Sequence, residues 1–217
     1  SSITPSFELA EVQTLLAKYY QLEGELVALD SYCDLNFRLK LPSGSSRVVK
    51  IANTEEKLHE LDMQNAAMMH LFDKNMAVPE VIHNVKNERI TCVSKDNQTY
   101  FLRVLSFLPG HFYADTSKHG ESSWESLGDF MGQVVNGLAS FEHKGAYRYL
   151  DWDLAFGFSV CQQKKSFLSG EQKSQVERHL ANYHNHVFPV LNKLPQQVIH
   201  NDANDYNLVI DSLEAPN

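Results

Sequence analysis

Near the end of the chain, VIHNDANDYNLVID (residues 198–211) sets His200, Asp202, Asp205 and Asn207 between two short apolar runs. A carboxylate such as Asp202 can orient an attacking hydroxyl and accept its proton. An amide oxygen five residues on, at Asn207, can hold a divalent metal against phosphate groups if the loop between them bends back. The plainer alternative is a turn, because Asn and Asp favour turns through hydrogen bonds to nearby backbone. Both readings expect a loop flanked by two buried strands.

The elements that would have to position this loop can be read from periodicity. Leu9, Val12, Leu15, Leu16, Tyr19 and Leu22 recur at helical spacing after Thr4-Pro5, and Gly24 ends the pattern. ELVALD and NFRLKL read as strands joined by SYCD, and the turn PSGSS leads into a third strand, RVVKIA. Asn53 with Glu56 three residues later resembles a capping box opening a helix through Leu58, Leu61, Met68 and Phe72. A hairpin turning near Asp96-Asn97 follows, and Pro109-Gly110 breaks the chain. Beyond it, Trp124, Leu127, Met131, Val134, Leu138 and Phe141 form one apolar helical stripe, and Val176, Leu180, Tyr183 and Val187 another. The expected organisation is an α+β chain of two lobes: a small antiparallel sheet with a helix over residues 1–104, an extended hinge at 105–110, and a helical lobe carrying the polar loop over 111–217.

Within that frame a second residue stands out. Alternation places Lys50 on the same strand face as Val48, and a Lys on an inner face needs an anionic partner. An ATP phosphate would serve; an exposed strand face is the alternative. The segment FLRVLSFLPG could hydrogen-bond an adenine through its backbone while Leu105, Phe107 and Leu108 cover the ring, or it could simply be a core strand.

Composition narrows the function classes. A net charge of −8 and a pI near 5.6 over 217 residues disfavour nucleic acid and anionic membrane as partners. Cys33, Cys92 and Cys161 are odd in number and far apart, which fits neither a disulfide framework nor a zinc site and points to a reducing cytoplasm. No apolar run approaches the ~20 residues of a membrane helix. His179, His184 and His186 do not share one helical face, so a helix surface is favoured there over a metal site. Asp151, Trp152 and Asp153 could hold a substrate ammonium by charge and cation–π contact; packing of the helical lobe is the plainer reading.

The blocks DLNF, LDMQNAAMMHL, RVLSFLPG, FEHKGAYRYLDWDLAFG and VIHNDANDYNLVID together resemble the aminoglycoside phosphotransferase and choline kinase group of small-molecule kinases. The resemblance is nearest to the hydroxylysine-kinase-like branch, which includes kinase domains fused to class III aminotransferases. It implies a protein-kinase-like fold and ATP-dependent phosphorylation of a hydroxyl on a small amine or amino acid, with ATP and Mg²⁺ as cofactors and a fused aminotransferase domain as a possible companion in the whole protein. By it, Asp202 and His200 form the catalytic set and Asn207 is a metal ligand. Lys50 would bind the phosphates, Ser31, Asp34 and Asn36 would lie in the loop over the nucleotide, and Ser106, Phe107 and Leu108 would form the hinge.

Two departures accompany it. Gln64 occupies the place of the helix carboxylate that normally pairs with the strand Lys, with Glu60 one turn earlier as the other candidate. A second metal-binding Asp is expected about twenty residues beyond the loop, past Asn217, so the helical lobe is expected to be truncated. These departures leave a catalytically inactive kinase-like binding or regulatory module as the alternative.

Overall fold

The computed structural model describes residues 3–116 and 120–211. Helix α1 (Leu9–Tyr20) starts four residues later than Thr4-Pro5 would place it. The Glu11 carboxylate accepts the Glu8 N–H at 2.7 Å and so closes the first turn. The helix ends at Gln21, in left-handed conformation.

Six strands form an antiparallel sheet: β1 (Glu25–Leu29), β2 (Leu35–Lys40), β3 (Ser46–Ile51), β4 (Val81–Ile82), β5 (Thr91–Lys95) and β6 (Gln98–Ser106). The order is β1-β2-β3-β6, with β5 and then β4 on the far edge of β6. Asp96 and Asn97 both have positive φ, 51° and 61°, as the two-residue hairpin between β5 and β6 requires. One sheet face carries Phe37, Leu39, Val49, Ile51, Leu102 and Val104, buried with Val12 and Leu16 of α1 in the main core. Because side chains alternate, the residues between them emerge on the other face. There the register sets Asn36 opposite Lys50 and Lys50 opposite Arg103, a polar row across three strands.

Helix α2 (Leu58–Phe72) begins after the proposed capping box, not at it. Asn53 instead folds an Asx turn, its Oδ1 accepting the Glu55 N–H at 2.9 Å, while its own N–H and Nδ2 both donate to Asp34 Oδ1 at 3.0 and 2.9 Å. The local side-chain bond competed with helix initiation and prevailed. Leu71 of α2 packs with Val134 and Leu138 of α3 (Glu121–Leu138), and Val198 joins that cluster. Two short strands, β7 (His111–Phe112) and β8 (Val209–Ile210), pair antiparallel.

By contacts the chain divides into a unit of residues 1–146 with 198–217 and a unit of residues 147–197. The second unit contains α4 (Leu154–Lys164), α5 (Gly170–Asn182), a π-helical turn at Tyr183–Val187 and α6 (Phe188–Leu191). Phe158 stacks on Tyr183 and His184, and His184 on Phe188. Among the described residues no helix is long and apolar enough to cross a membrane.

Candidate active site

The polar loop is anchored at both ends. Val198 sits in the α2–α3 cluster, and β8 follows the loop; Leu208 and Asp205 carbonyls accept from the Tyr113 and Ala114 N–H groups at 2.9 and 3.0 Å. Only the trailing flank is a strand. The leading flank, residues 198–200, has no strand partner, contrary to the expectation of a strand on each side.

Between these anchors the loop does bend back. Asn207 Nδ2 donates to both the Asp202 carbonyl and Asp202 Oδ2 at 2.8 Å, and Asn204 Nδ2 donates to Asp202 Oδ1 at 2.9 Å. Both carboxylate oxygens are therefore held by side-chain amides, which fixes the plane of a group that remains exposed to solvent. Since carbonyl and carboxylate oxygens only accept, Asn207 must present its NH₂ to Asp202, and its own carbonyl oxygen is the atom left over to ligate a metal. His200 Nδ1 accepts the Asp202 N–H at 3.3 Å, so the neutral ring carries its proton on Nε2 and acts on the loop backbone. Asn204 was missing from the sequence-derived set. Its signal was the Asp-x-Asn spacing, and its Oδ1 also accepts the Tyr206 N–H at 3.0 Å.

On the sheet side, Lys50 projects from the face opposite the α1 core, as its alternation with Val48 and Val49 requires. Burial, and after it repulsion from Arg103, lowers the Lys50 pKa from its ordinary value, while Asp34 and Glu56 act in the opposite direction. Gln64, expected near Lys50, gives its Oε1 to Arg103 Nη1 at 3.0 Å, and Asn65 Oδ1 accepts from the same nitrogen at 3.3 Å. Glu60 lies 3.7 Å from Lys57 and 3.9 Å from His59. Arg103, 3% exposed, is the group that sequence reading missed. A single charge inside the largely apolar run FLRVLSFL was the available signal. Arg103 Nε and Asn36 Oδ1 are both buried without a hydrogen-bond partner among the described residues. A positively charged pair with an unfilled donor fits an anionic group such as a phosphate.

Ser106 is committed to structure: its N–H donates to the Glu80 carbonyl and its Oγ accepts the Glu80 N–H, both at 2.8 Å. Phe107 lies under the Arg38 guanidinium, 4.2 Å from the ring centroid. The backbone N–H and carbonyl of Leu108 make no hydrogen bond among the described residues. Asp34 serves Asn53 as described, and Ser31 is exposed. Two surface depressions, of about 520 and 900 Å³, are lined by other residues.

In the second unit, Asp153 caps α4, its Oδ1 accepting the Ala155 N–H at 2.8 Å, and Trp152 is 80% exposed. Among the described residues no three His, Cys, Asp or Glu side chains are grouped to hold a metal.

Against this geometry, the family model described as "Phosphotransferase enzyme family", APH, matches residues 26–217. The chain belongs to that phosphotransferase family. It is 25% identical to a hydroxylysine kinase from Bos taurus over 97% of its own length and 61% of that protein's. Among solved structures it superimposes on a microcompartment-associated aminopropanol kinase with a TM-score of 0.74 at 13% identity, covering 94% of this chain and 65% of the other. An amicoumacin kinase in complex with AMP-PNP and Ca²⁺ gives 0.63 at 15% identity, over 88% and 55%. These likenesses establish the expected kinase-like α+β fold, and the chain spans about three fifths of the length of the curated relative it matches.

Proposed function

We propose that the protein is an ATP-dependent small-molecule kinase that phosphorylates a hydroxyl of a small amine or amino acid. The observation that carries the reading is the Asp202 carboxylate clamped by Asn204 and Asn207 on an exposed loop, in a member of a phosphotransferase family. Asp202 orients the acceptor hydroxyl and takes its proton as the oxygen attacks the γ-phosphorus; the bond to the β-phosphate oxygen breaks and ADP leaves. Lys50 contacts the phosphates and Leu108 the adenine. Asn207, through its carbonyl oxygen, would be a ligand for Mg²⁺, which when bound supplies charge neutralisation between the β- and γ-phosphates.

The hydroxylysine kinase and aminopropanol kinase relatives support an amino-alcohol acceptor, and the acidic net charge suits a cationic one. Residues 1–104, 105–110 and 111–217 are read as nucleotide lobe, hinge and substrate-side lobe. Three free cysteines fit a reducing cytoplasm, and the resemblance to aminotransferase-fused kinases extends the reading to a whole protein with such a companion domain. A second reading, a kinase-derived binding module without turnover, is favoured by one observation: Gln64 stands in place of a carboxylate and serves Arg103. Screening amino alcohols and hydroxylated amino acids with MgATP on the whole protein separates the two, since only a kinase produces a phosphorylated acceptor and ADP.

A further inference from the structure

Lys50 has a second cation as its direct cross-strand neighbour. Lys50 of β3 pairs with Arg103 of β6, and like charges set opposite one another destabilise a sheet. Arg103 is moreover nearly withdrawn from water, and a guanidinium does not give up its proton. Helix α2 answers with two neutral acceptors, Gln64 Oε1 and Asn65 Oδ1. These satisfy donors and leave the charge in place. Asn65 is itself fully buried and donates to the Arg89 carbonyl at 3.3 Å, so its orientation is set from both sides.

The charged groups facing the pair come from several elements. Asp34, just before β2, and Glu56, between β3 and α2, act on both cations, and Tyr20 of α1 acts on Arg103. From α2 itself come the two amides, with Glu60 beside Lys57 and His59. Where a lysine–glutamate pair bridges a strand and a helix, one contact both ties the helix and neutralises the lysine. Here the two tasks are separated.

We infer that Arg103 is a positioning residue of the nucleotide site: it ties α2 to the sheet through the neutral amides of Gln64 and Asn65, and its charge beside Lys50 keeps that ammonium uncommitted for an incoming polyphosphate. The nature of that anion rests on the kinase reading; the coupling of the two cations rests on the sheet register and the amide contacts. The lowered pKa of Lys50, to which Arg103 contributes after burial, is consistent with it.

The test uses the whole protein with three variants: Arg103→Met removes the charge, Arg103→Lys keeps it, and Gln64→Glu adds a neutralising carboxylate while leaving Arg103 in place. Two quantities are followed against pH, the affinity for MgATP by calorimetry and the titration of the Lys50 Cε resonance by NMR, with thermal stability measured alongside. In the native protein Lys50 should titrate below the exposed lysines, and ATP affinity should fall on the alkaline side as it does so. Arg103→Met and Gln64→Glu should both move the Lys50 titration to higher pH. Arg103→Met should also weaken ATP binding at neutral pH about tenfold, the scale of one lost charge contact. Arg103→Lys should preserve both titration and affinity, whatever it costs in stability. If Arg103→Met and Arg103→Lys lose stability alike and the Lys50 titration moves in neither, Arg103 is merely structural and the inference is overturned. If the native protein binds no ATP at any pH while the Lys50 titration still shifts as described, the coupling stands and the kinase reading falls.

Discussion

Asn207 reaches back five residues to bind Asp202 twice, at its main-chain carbonyl and at one carboxylate oxygen, both at 2.8 Å. This relationship makes the loop a single unit, because the residue that would ligate the metal also fixes the residue that would take the proton. Asp202→Asn should therefore lower kcat by about 10²-fold or more, as expected for loss of a positioned base. The replacement also turns an NH₂ group toward one of the two amides, so a modest loss of thermal stability should accompany it. Steady-state kinetics with the acceptor found by screening, paired with a melting curve, checks both effects.

Replacing Asn207 strikes metal binding and base positioning together. Asn207→Ala removes the carbonyl oxygen together with the clamp, so the Mg²⁺ concentration for half-maximal activity should rise about tenfold or more. Asn207→Asp keeps an oxygen but sets two carboxylates side by side, where both cannot remain ionised. Its activity should fall away at a higher pH than the native protein's. A metal titration at several pH values reads both variants.

Lys50 is expected to lower stability while serving function. Its folded pKa is lowered from 10.5, so between the lowered value and 10.5 the folded state binds fewer protons than the unfolded chain. Its contribution to stability therefore rises with pH across that window and is unfavourable below it. Lys50→Met should raise the melting temperature at neutral pH, flatten this alkaline rise and abolish ATP binding. Melting curves between neutral and alkaline pH with and without MgATP measure all three.

Gly110, the last hinge residue, has φ of +125°, and a Cβ there would collide with the Ile210 carbonyl of β8. Gly110→Ala should thus cost about 2 kcal/mol and disturb the far anchor of the loop. A denaturant titration, with activity measured where the variant remains folded, tests this; unchanged stability would show that β7 and β8 do not hold the loop as described.

Much of the six-stranded sheet was legible because two-residue alternation and turn residues report directly on strands. RVVKIA, the Asp96-Asn97 hairpin and the placing of Lys50 on the Val48 face emerged as expected. Asn53 misled because an Asx turn and a helix cap use the same side-chain chemistry, and only the Asp34 contact distinguishes them. Arg103 was hidden because a strand sequence shows which side a residue faces but not which helix residues meet it there. The leading flank of the loop looked like a strand because Val198 is apolar, whereas Val198 is used to pack against α2 and α3. The spacing and the family resemblance singled out Asp202 and Asn207, but the amide clamp through Asn204 required coordinates.

Phosphotransfer is read out by incubating the whole protein with MgATP and a panel of amino alcohols and hydroxylated amino acids, then following ATP, ADP and the acceptor by ³¹P NMR and mass spectrometry. A new phosphomonoester should appear on one acceptor, formed in step with ADP, and should be lost in Asp202→Asn while MgATP binding persists. A panel left wholly unphosphorylated, or phosphorylation that survives Asp202→Asn at the native rate, would contradict the kinase reading.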